Sequence, residues 1–154
     1  SVADRGAGVG QSFTRIATIA RSEMLRAYRV TTLESYQASR VVRAYRRLSA
    51  RDDRVCPGCL FADGREYPID YGFDSHANCR CTAIPVLANV PPVAYQTGQE
   101  WFVTRPESEQ LSILGRGRFD AWQAGRATLD DMVTRDWSDT WGGSVRPTLV
   151  RDLG

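Results

Sequence analysis

The sequence contains no lysine, so all twenty of its basic residues are arginine. Guanidinium groups suit phosphate and carboxylate ligands, but these arginines are scattered along the chain, a pattern that the codon usage of a GC-rich genome produces by itself. Because eighteen residues are acidic, the formal net charge is only +2. So small an excess gives no electrostatic support to a DNA-binding module.

The sequence also lacks long apolar runs. No stretch approaches the roughly 18 consecutive apolar residues of a membrane-spanning helix, and no charged segment followed by an apolar one opens the chain. With 154 residues, 42% of them hydrophobic and 25% charged, the composition is that of one folded domain. The first residue is Ser1, which suits an excised piece or a processed product.

Cysteine and histidine are absent from most of the chain. All four cysteines and the single histidine lie between residues 56 and 81, as C-x2-C, sixteen residues, and then H-x2-C-x-C. Thiolate and imidazole are the groups with which zinc forms tetrahedral structural sites, and Pro57-Gly58 is suitable turn chemistry within the first pair. The window therefore predicts a structural Zn²⁺ site with five candidate ligands: Cys56, Cys59, His76, Cys79 and Cys81.

Five candidates compete for four coordination positions. Spacing leaves open whether His76 or Cys81 completes the site, although Cys79 and Cys81 would point to one side of a strand. A zinc ion with three or four thiolates carries about −1 to −2 formal charge. We expect Arg54 and Arg80 to offset this charge from outside the ligand shell.

Other interpretations of the window remain open. The cysteines could be free core thiols, or two disulfides in any of three pairings. A catalytic zinc would need an open position and a general base, for which the window offers Glu66 and Asp74. A nucleophilic cysteine with His76 as its base is a further alternative. Because no cysteine is marked as an attacking thiol, a structural site is favoured and no enzymatic activity is predicted.

The patterning predicts an α+β fold with a long N-terminal helix, a small antiparallel sheet with a zinc-clipped loop, and short C-terminal helices. Residues 1–10 are predicted to be a linker or frayed end, and residues 11–150 a single domain with the zinc-binding loop at 54–81. The helix runs from Ser12 to about Ser39. Strands are predicted at 41–50 and 81–87. The helix carries one apolar stripe at three- and four-residue steps: Phe13, Ile16, Ala17, Ala20, Met24, Ala27 and Tyr28.

A helical tail is predicted over residues 100–145. Residues 106–115 form one short helix that stops at Gly115, and residues 118–125 form another. A third helix is expected from Thr128, whose side chain would cap it. The tryptophans of this tail are expected to anchor its packing: Trp122, Trp137 and Trp141.

Three segments together resemble a known family. "RIATIARSEMLRAY", "LSARDDRVCPGCLFADGREYPID" and "HANCRCTAIPV" are similar to the C-terminal domain of phage Mu F-like head morphogenesis proteins, also called minor capsid or minor head proteins. Ala77 stands where the family usually has proline. The resemblance covers roughly residues 13–130, including the tail segment "TGQEWFVTRPESEQLSILGRGRFDAWQAG". Besides the five candidate ligands, the matching residues are Arg21, Glu23, Asp52 or Asp53, Arg54, Gly64, Asn78 and Arg80.

The resemblance implies a virion protein of a tailed phage or phage-like particle, assembled in the bacterial host cytoplasm and present in few copies. It would act in head assembly or in DNA packaging and ejection. The implied partners are portal and capsid proteins, with DNA contact in the head and an oligomer on the portal as further expectations, and no membrane. Two alternatives remain: a zinc-dependent hydrolase or nuclease, and a toxin-associated Mu F-like domain.

Overall fold

The computed structural model describes residues 3–91 and 93–154, with side chains described from residue 10 onward. Five α-helices and five strands occur in this part of the chain, together with short 3₁₀ turns at Asp130–Met132 and Val150–Asp152. The helices are α1 (Ala3–Ala38), α2 (Pro57–Ala62), α3 (Gly98–Val103), α4 (Glu107–Leu114) and α5 (Arg116–Gln123). The strands are β1 (Val42–Leu48), β2 (Glu66–Pro68), β3 (Thr82–Leu87), β4 (Val133–Ser138) and β5 (Gly142–Pro147).

A three-stranded antiparallel sheet has the order β2-β1-β3, with β1 in the centre. Tyr45 of β1 faces Tyr67 on one side and Pro85 on the other. The second sheet is the antiparallel hairpin of β4 and β5. The predicted α+β class is confirmed, and β1 and β3 are the two strands expected on either side of the cysteine window.

Helix α1 packs on the sheet through its C-terminal half. Leu33 is buried against Tyr45, and the Tyr36 hydroxyl donates a hydrogen bond to the carbonyl of Ala83 at 3.2 Å. The helix begins at Ala3, so residues 3–10, expected as a linker, are helical; residues 1 and 2 of that prediction lie outside the described residues. None of the helices in the described part of the chain has the length and apolarity to cross a membrane.

The apolar stripe of α1 lies at the surface. Phe13, Ile16, Met24 and Tyr28 are all largely exposed, with Met24 at 73%. The face that packs on the protein instead carries Arg29 and Leu33, both buried. The most apolar side of this helix is therefore not covered by the part of the chain that the structure describes.

The main core joins the cysteine window to the C-terminal third of the chain. Phe102, Phe119 and Trp122 pack edge to face, which confirms Trp122 as a packing residue. Trp137 and Trp141 are 75% and 62% exposed, so the same prediction is wrong for them. The buried core residues include Cys59, Leu60, Phe61, Cys79, Cys81, Phe102, Leu114, Phe119, Met132, Val145 and Leu153.

The tail is helical only in its first half. Helix α4 ends at Gly115 as predicted, and α5 follows. The third predicted helix is wrong: after a single 3₁₀ turn the chain forms the β4–β5 hairpin. Thr128 does accept a hydrogen bond from the Asp131 backbone and donates one to its carboxylate, so the capping signal was real but marks only that turn.

Gly98 sets the distance between α2 and α3. A Cβ atom at this position would lie 1.9 Å from the Leu60 carbonyl oxygen and 2.9 Å from the Asp63 Cβ. We expect Gly98→Ala to lower the free energy of unfolding by about 3 kcal/mol, because the two helices would have to separate. Urea unfolding measures this. The matched control is Gly10→Ala on α1, which has open space and should raise stability by up to about 1 kcal/mol; equal effects would contradict the close packing.

Candidate metal centre

Helix α2 supplies the first two sulfur ligands. Cys56 is its N-cap residue, Pro57 occupies the first helical position, and Cys59 follows within the first turn. Proline is favoured at this position because the missing N–H would have no partner in the helix. All six residues of α2 are buried, so this short helix presents the Cys59 thiol from within the core, with Cys56 half-buried at its start.

The loop before β3 supplies the other three candidates. The Cys79 amide donates to the His76 carbonyl at 3.0 Å and closes a turn, in which Asn78 has a positive φ of 57°. Asparagine tolerates this left-handed conformation better than most residues. Cys81 lies directly before β3, so the central sheet fixes the end of the loop.

Cys59 is the centre of the cluster. Its Sγ lies 3.0 Å from His76 Nε2 and 3.8 Å from Cys79 Sγ. Two groups of donor atoms, each within 4.8 Å of one another, share it: Cys56, Cys59 and His76, and Cys59, Cys79 and Cys81. All five predicted ligands are thus brought together, with the second group fully buried and the other two candidates nearer the surface. All four cysteines are free thiols.

The donor set fits a soft divalent metal ion. Thiolate and imidazole are the ligands of structural zinc, and the cavity that Cys56, Cys59, His76 and Cys81 line has a volume of about 30 Å³. That is room for an ion or about one or two water molecules. Cys81 belongs to the buried group, whereas Cys56 and His76 are the two candidates nearer the surface.

Mutual hydrogen bonding polarises the thiols. The hydrogen bond from Cys59, supported by one from His76, lowers the pKa of Cys56 to about 4. A hydrogen bond from Cys59 likewise lowers the pKa of Cys79, helped by the positive charges of Arg47 and Arg29. The pKa of Cys59 is raised, mainly by its hydrogen bonds with Cys56 and Cys79. Thiolates are the form that binds metal, and the lowered pKa values of Cys56 and Cys79 favour this form.

Histidine 76 is held by both ring nitrogens. Its Nδ1 lies 2.8 Å from the Ala77 carbonyl, an arrangement in which Nδ1 donates and Nε2 faces Cys59. Its hydrogen bond with Cys56 raises the pKa of the imidazole. A carbonyl bond at one nitrogen orients the other towards a metal, which keeps His76 a candidate ligand beside Cys56.

The predicted counter-charges, Arg54 and Arg80, lie at the surface. Arg80 forms a bidentate pair with Asp52, with both bonds at 2.7 Å, and its hydrogen bonding lowers the pKa of Asp52 to about 2. Arg54 lies 3.9 Å from the same carboxylate. Both side chains therefore contact Asp52 in the segment before α2. The arginine that contacts the sulfur atoms is a different one.

That arginine is Arg47 of β1. Its Nη2 lies 3.5 Å from Cys59 Sγ and 3.8 Å from Cys79 Sγ, and its Nη1 donates to the Asp74 carbonyl at 2.6 Å. In the sequence of β1, Arg47 is grouped with Arg43 and Arg46 against the apolar residues. The sequence therefore does not predict that Arg47 contacts the cluster. No local signal distinguishes it, because its partners are more than ten residues away.

The acids considered as catalytic bases are engaged elsewhere. Glu66 pairs with Arg43 and Arg46 on the sheet. The Asp74 carboxylate pairs with Arg135 at 3.3 Å and accepts from the Tyr71 hydroxyl. Neither belongs to the metal-ligand clusters found among the described residues.

Helix α1 is joined by residues of the family pattern to the loop before β3, residues 74–81, which we call the metal loop. Arg21 donates to the Asn78 side chain at 3.2 Å, and the Asn78 amide donates to the Ser22 hydroxyl at 3.0 Å. Two of the three segments that carried the resemblance therefore contact each other.

Comparison with protein families found one match. The model of the family described as phage Mu protein F like protein matches residues 3–84, which is a little over half of the chain. No curated protein and no solved structure matches the chain. The matched residues include α1, β1, β2, the first half of β3 and all five cluster residues. The chain belongs to the family of phage Mu F-like proteins.

Proposed function

We propose that the chain is a structural minor head protein of a tailed phage or phage-like particle that acts in head assembly or DNA packaging near the portal, with a structural zinc ion in its Cys/His cluster. Family membership indicates a phage head protein of the virion that contacts other virion proteins. The proposal adds to this family assignment the portal as the partner, the assembly step and zinc as the metal.

The position of the cluster is the observation that carries the structural role. Three of its thiols belong to the main hydrophobic core, and the cavity that adjoins most of the cluster is only about 30 Å³. A catalytic zinc site keeps an open position for water and substrate. A metal here would instead join α2 to the start of β3, so that its binding energy would become folding energy.

We also propose that residues 11–150 form one domain. The family match ends at residue 84, but the hydrophobic core extends beyond it. Cys59 and Phe61 lie in the same core cluster as Phe102 and Val145. Ser75 of the metal loop also pairs with the β4–β5 hairpin, accepting from the Val145 amide at 3.1 Å. These contacts support a tail that folds as part of the same unit.

The exposed stripe of α1 is the proposed contact with another virion protein. Phe13, Ala17, Ala20, Met24 and Ala27 recur at alternating steps of four and three, the spacing with which a helix packs against another helix. Contiguous exposed apolar surface of this kind is typical of interaction sites. The proposed occupant is a helix of the portal, because the portal is the partner that the family resemblance implies.

Met24→Asp tests this role in particles. In heads produced by the element that encodes this chain, we expect about tenfold fewer copies of the protein, because a charge in an apolar helix contact costs at least about 1.4 kcal/mol. Quantitative mass spectrometry of purified heads measures the copies. The matched control is Val93→Asp, since Val93 is 75% exposed and is not part of α1. Equal incorporation of both variants would refute the contact.

A further inference from the structure

Two buried arginines lie beside the metal loop without a carboxylate partner. Arg29 of α1 and Arg47 of β1 are each only 3% exposed. Among the described residues, neither guanidinium has a carboxylate within the 4.0 Å of an ion pair. Burying an uncompensated charge costs several kcal/mol, so the fold must place negative charge close to both.

Apart from Cys59 of α2, the hydrogen-bond partners of the two arginines belong to the metal loop. Arg29 Nε donates to the Cys81 carbonyl at 2.8 Å, and its Nη2 donates to the Cys79 carbonyl. Arg47 donates to the Asp74 carbonyl and points Nη2 at the sulfur atoms of Cys59 and Cys79. Its Nε is buried without a hydrogen-bond partner. Carbonyl groups orient a guanidinium, but they do not neutralise it.

Phe73 brings the two positive charges to one place. The guanidinium carbon of Arg47 lies 4.5 Å from the centre of its ring, and that of Arg29 lies 5.2 Å away. The face of an aromatic ring attracts a cation, which holds both arginines beside the loop despite their mutual repulsion. Helix α1 and strand β1 thus each place one arginine charge beside the same group of cysteines.

We propose that Arg29 and Arg47 are the counter-charges of an anionic metal–thiolate centre and that they position its ligands. This inference rests on the proposed zinc site. A divalent ion carries a net charge of −1 with three thiolates and −2 with four, so the two guanidiniums stabilise the centre whichever of Cys56 and His76 completes it. Removing one guanidinium takes one of the two positive charges away from the anionic centre and so weakens its electrostatic stabilisation.

The test is zinc affinity, measured on the purified chain by competition with a chelator under reducing conditions. Arg47→Gln is expected to weaken zinc binding by roughly 10- to 100-fold, the usual effect of losing a partner of metal ligands. Arg47→Lys keeps the charge and should restore most of the affinity. The matched control is Arg43→Gln on the same strand, since Arg43 is half exposed and paired with Glu66; its affinity should equal that of the unmodified chain.

The outcomes separate this inference from the zinc site itself. If Arg47→Gln binds zinc as tightly as the unmodified chain, or if Arg47→Lys is as weak as Arg47→Gln, the counter-charge role is overturned and the zinc site stands. If the unmodified chain binds no zinc, both fail. Circular dichroism establishes that each variant is folded. Should Arg47→Gln not fold, Arg29→Gln, whose guanidinium contacts carbonyls and not sulfur, is measured against the same criteria.

Discussion

Cys59→Ser is expected to abolish zinc binding and to unfold the domain. Cys59 is the one residue common to both groups of donor atoms, so its loss leaves each group with only two of its three donors. Binding of structural zinc contributes on the order of 10 kcal/mol in small metal-dependent domains, against a total stability of about 5–15 kcal/mol for an ordinary domain. Stripping the unmodified chain with a chelator under reducing conditions should have the same effect.

Elemental analysis and thermal unfolding measure the two consequences. The unmodified chain should contain about one zinc per chain by the four-ligand requirement, with no disulfide by mass, and Cys59→Ser none. Leu60→Ala is the matched control, because Leu60 is the next residue and is wholly buried. It should lose about 2–5 kcal/mol by leaving a cavity yet keep its zinc. Zinc retained by Cys59→Ser, or unchanged melting after chelation, would disprove the structural metal site.

The cluster was predictable because its information is local. The spacings C-x2-C and H-x2-C-x-C place donor atoms on single turns, and the structure forms those turns at α2 and before β3. What remained open was which donors are buried, since this depends on how α2 meets the loop across the core. Arg29 and Arg47 could not be identified for the same reason: their partners come from distant segments, and an arginine in a helix or strand is usually exposed.

The face of α1 that packs on the protein was not evident from periodicity. An apolar stripe shows that a helix has two faces, and the usual inference is that the apolar face is internal. Here the internal face contains Arg29 and Leu33, and the guanidinium of Arg29 donates to the metal loop. The apolar stripe lies outside. Local pattern thus predicted the helix itself but could not distinguish the core from an interaction surface.

The β4–β5 hairpin shows a different limit. The signals at Thr128 and Asp131 are those of a helix start, and they do form a capped turn. The chain then becomes extended, because Val133 and its neighbours pair with β5, whose Ser144 in turn bridges to Ser75 of the metal loop. Strand formation depends strongly on such tertiary context. The local sequence therefore predicts a helix from Thr128 and does not reveal the strand that begins at Val133.

Asp63→Ala is expected to cost about 3–5 kcal/mol, the usual penalty for removing one partner of a buried charge pair. The Asp63 side chain is fully buried and accepts hydrogen bonds from the Ser49 amide at 2.8 Å, the Tyr95 hydroxyl at 2.9 Å and Arg51 Nε at 2.9 Å. One carboxylate thereby joins the end of β1, the end of α2 and the segment before α3. Its loss leaves three donors without an acceptor.

The matched control for this variant is Glu66→Ala. Glu66 also pairs with arginines, but its side chain is about one-third exposed, and exposed ion pairs contribute about 0–1 kcal/mol. Urea unfolding of the zinc-loaded chain compares the two, and Asp63→Asn, which keeps the shape and two of the lone pairs without the charge, should fall between them. Because Asp63 ends the helix that carries Cys56 and Cys59, Asp63→Ala should also weaken zinc binding, whereas Glu66→Ala should not. Equal losses of stability in the two alanine variants would show that Asp63 does not organise this side of the metal centre.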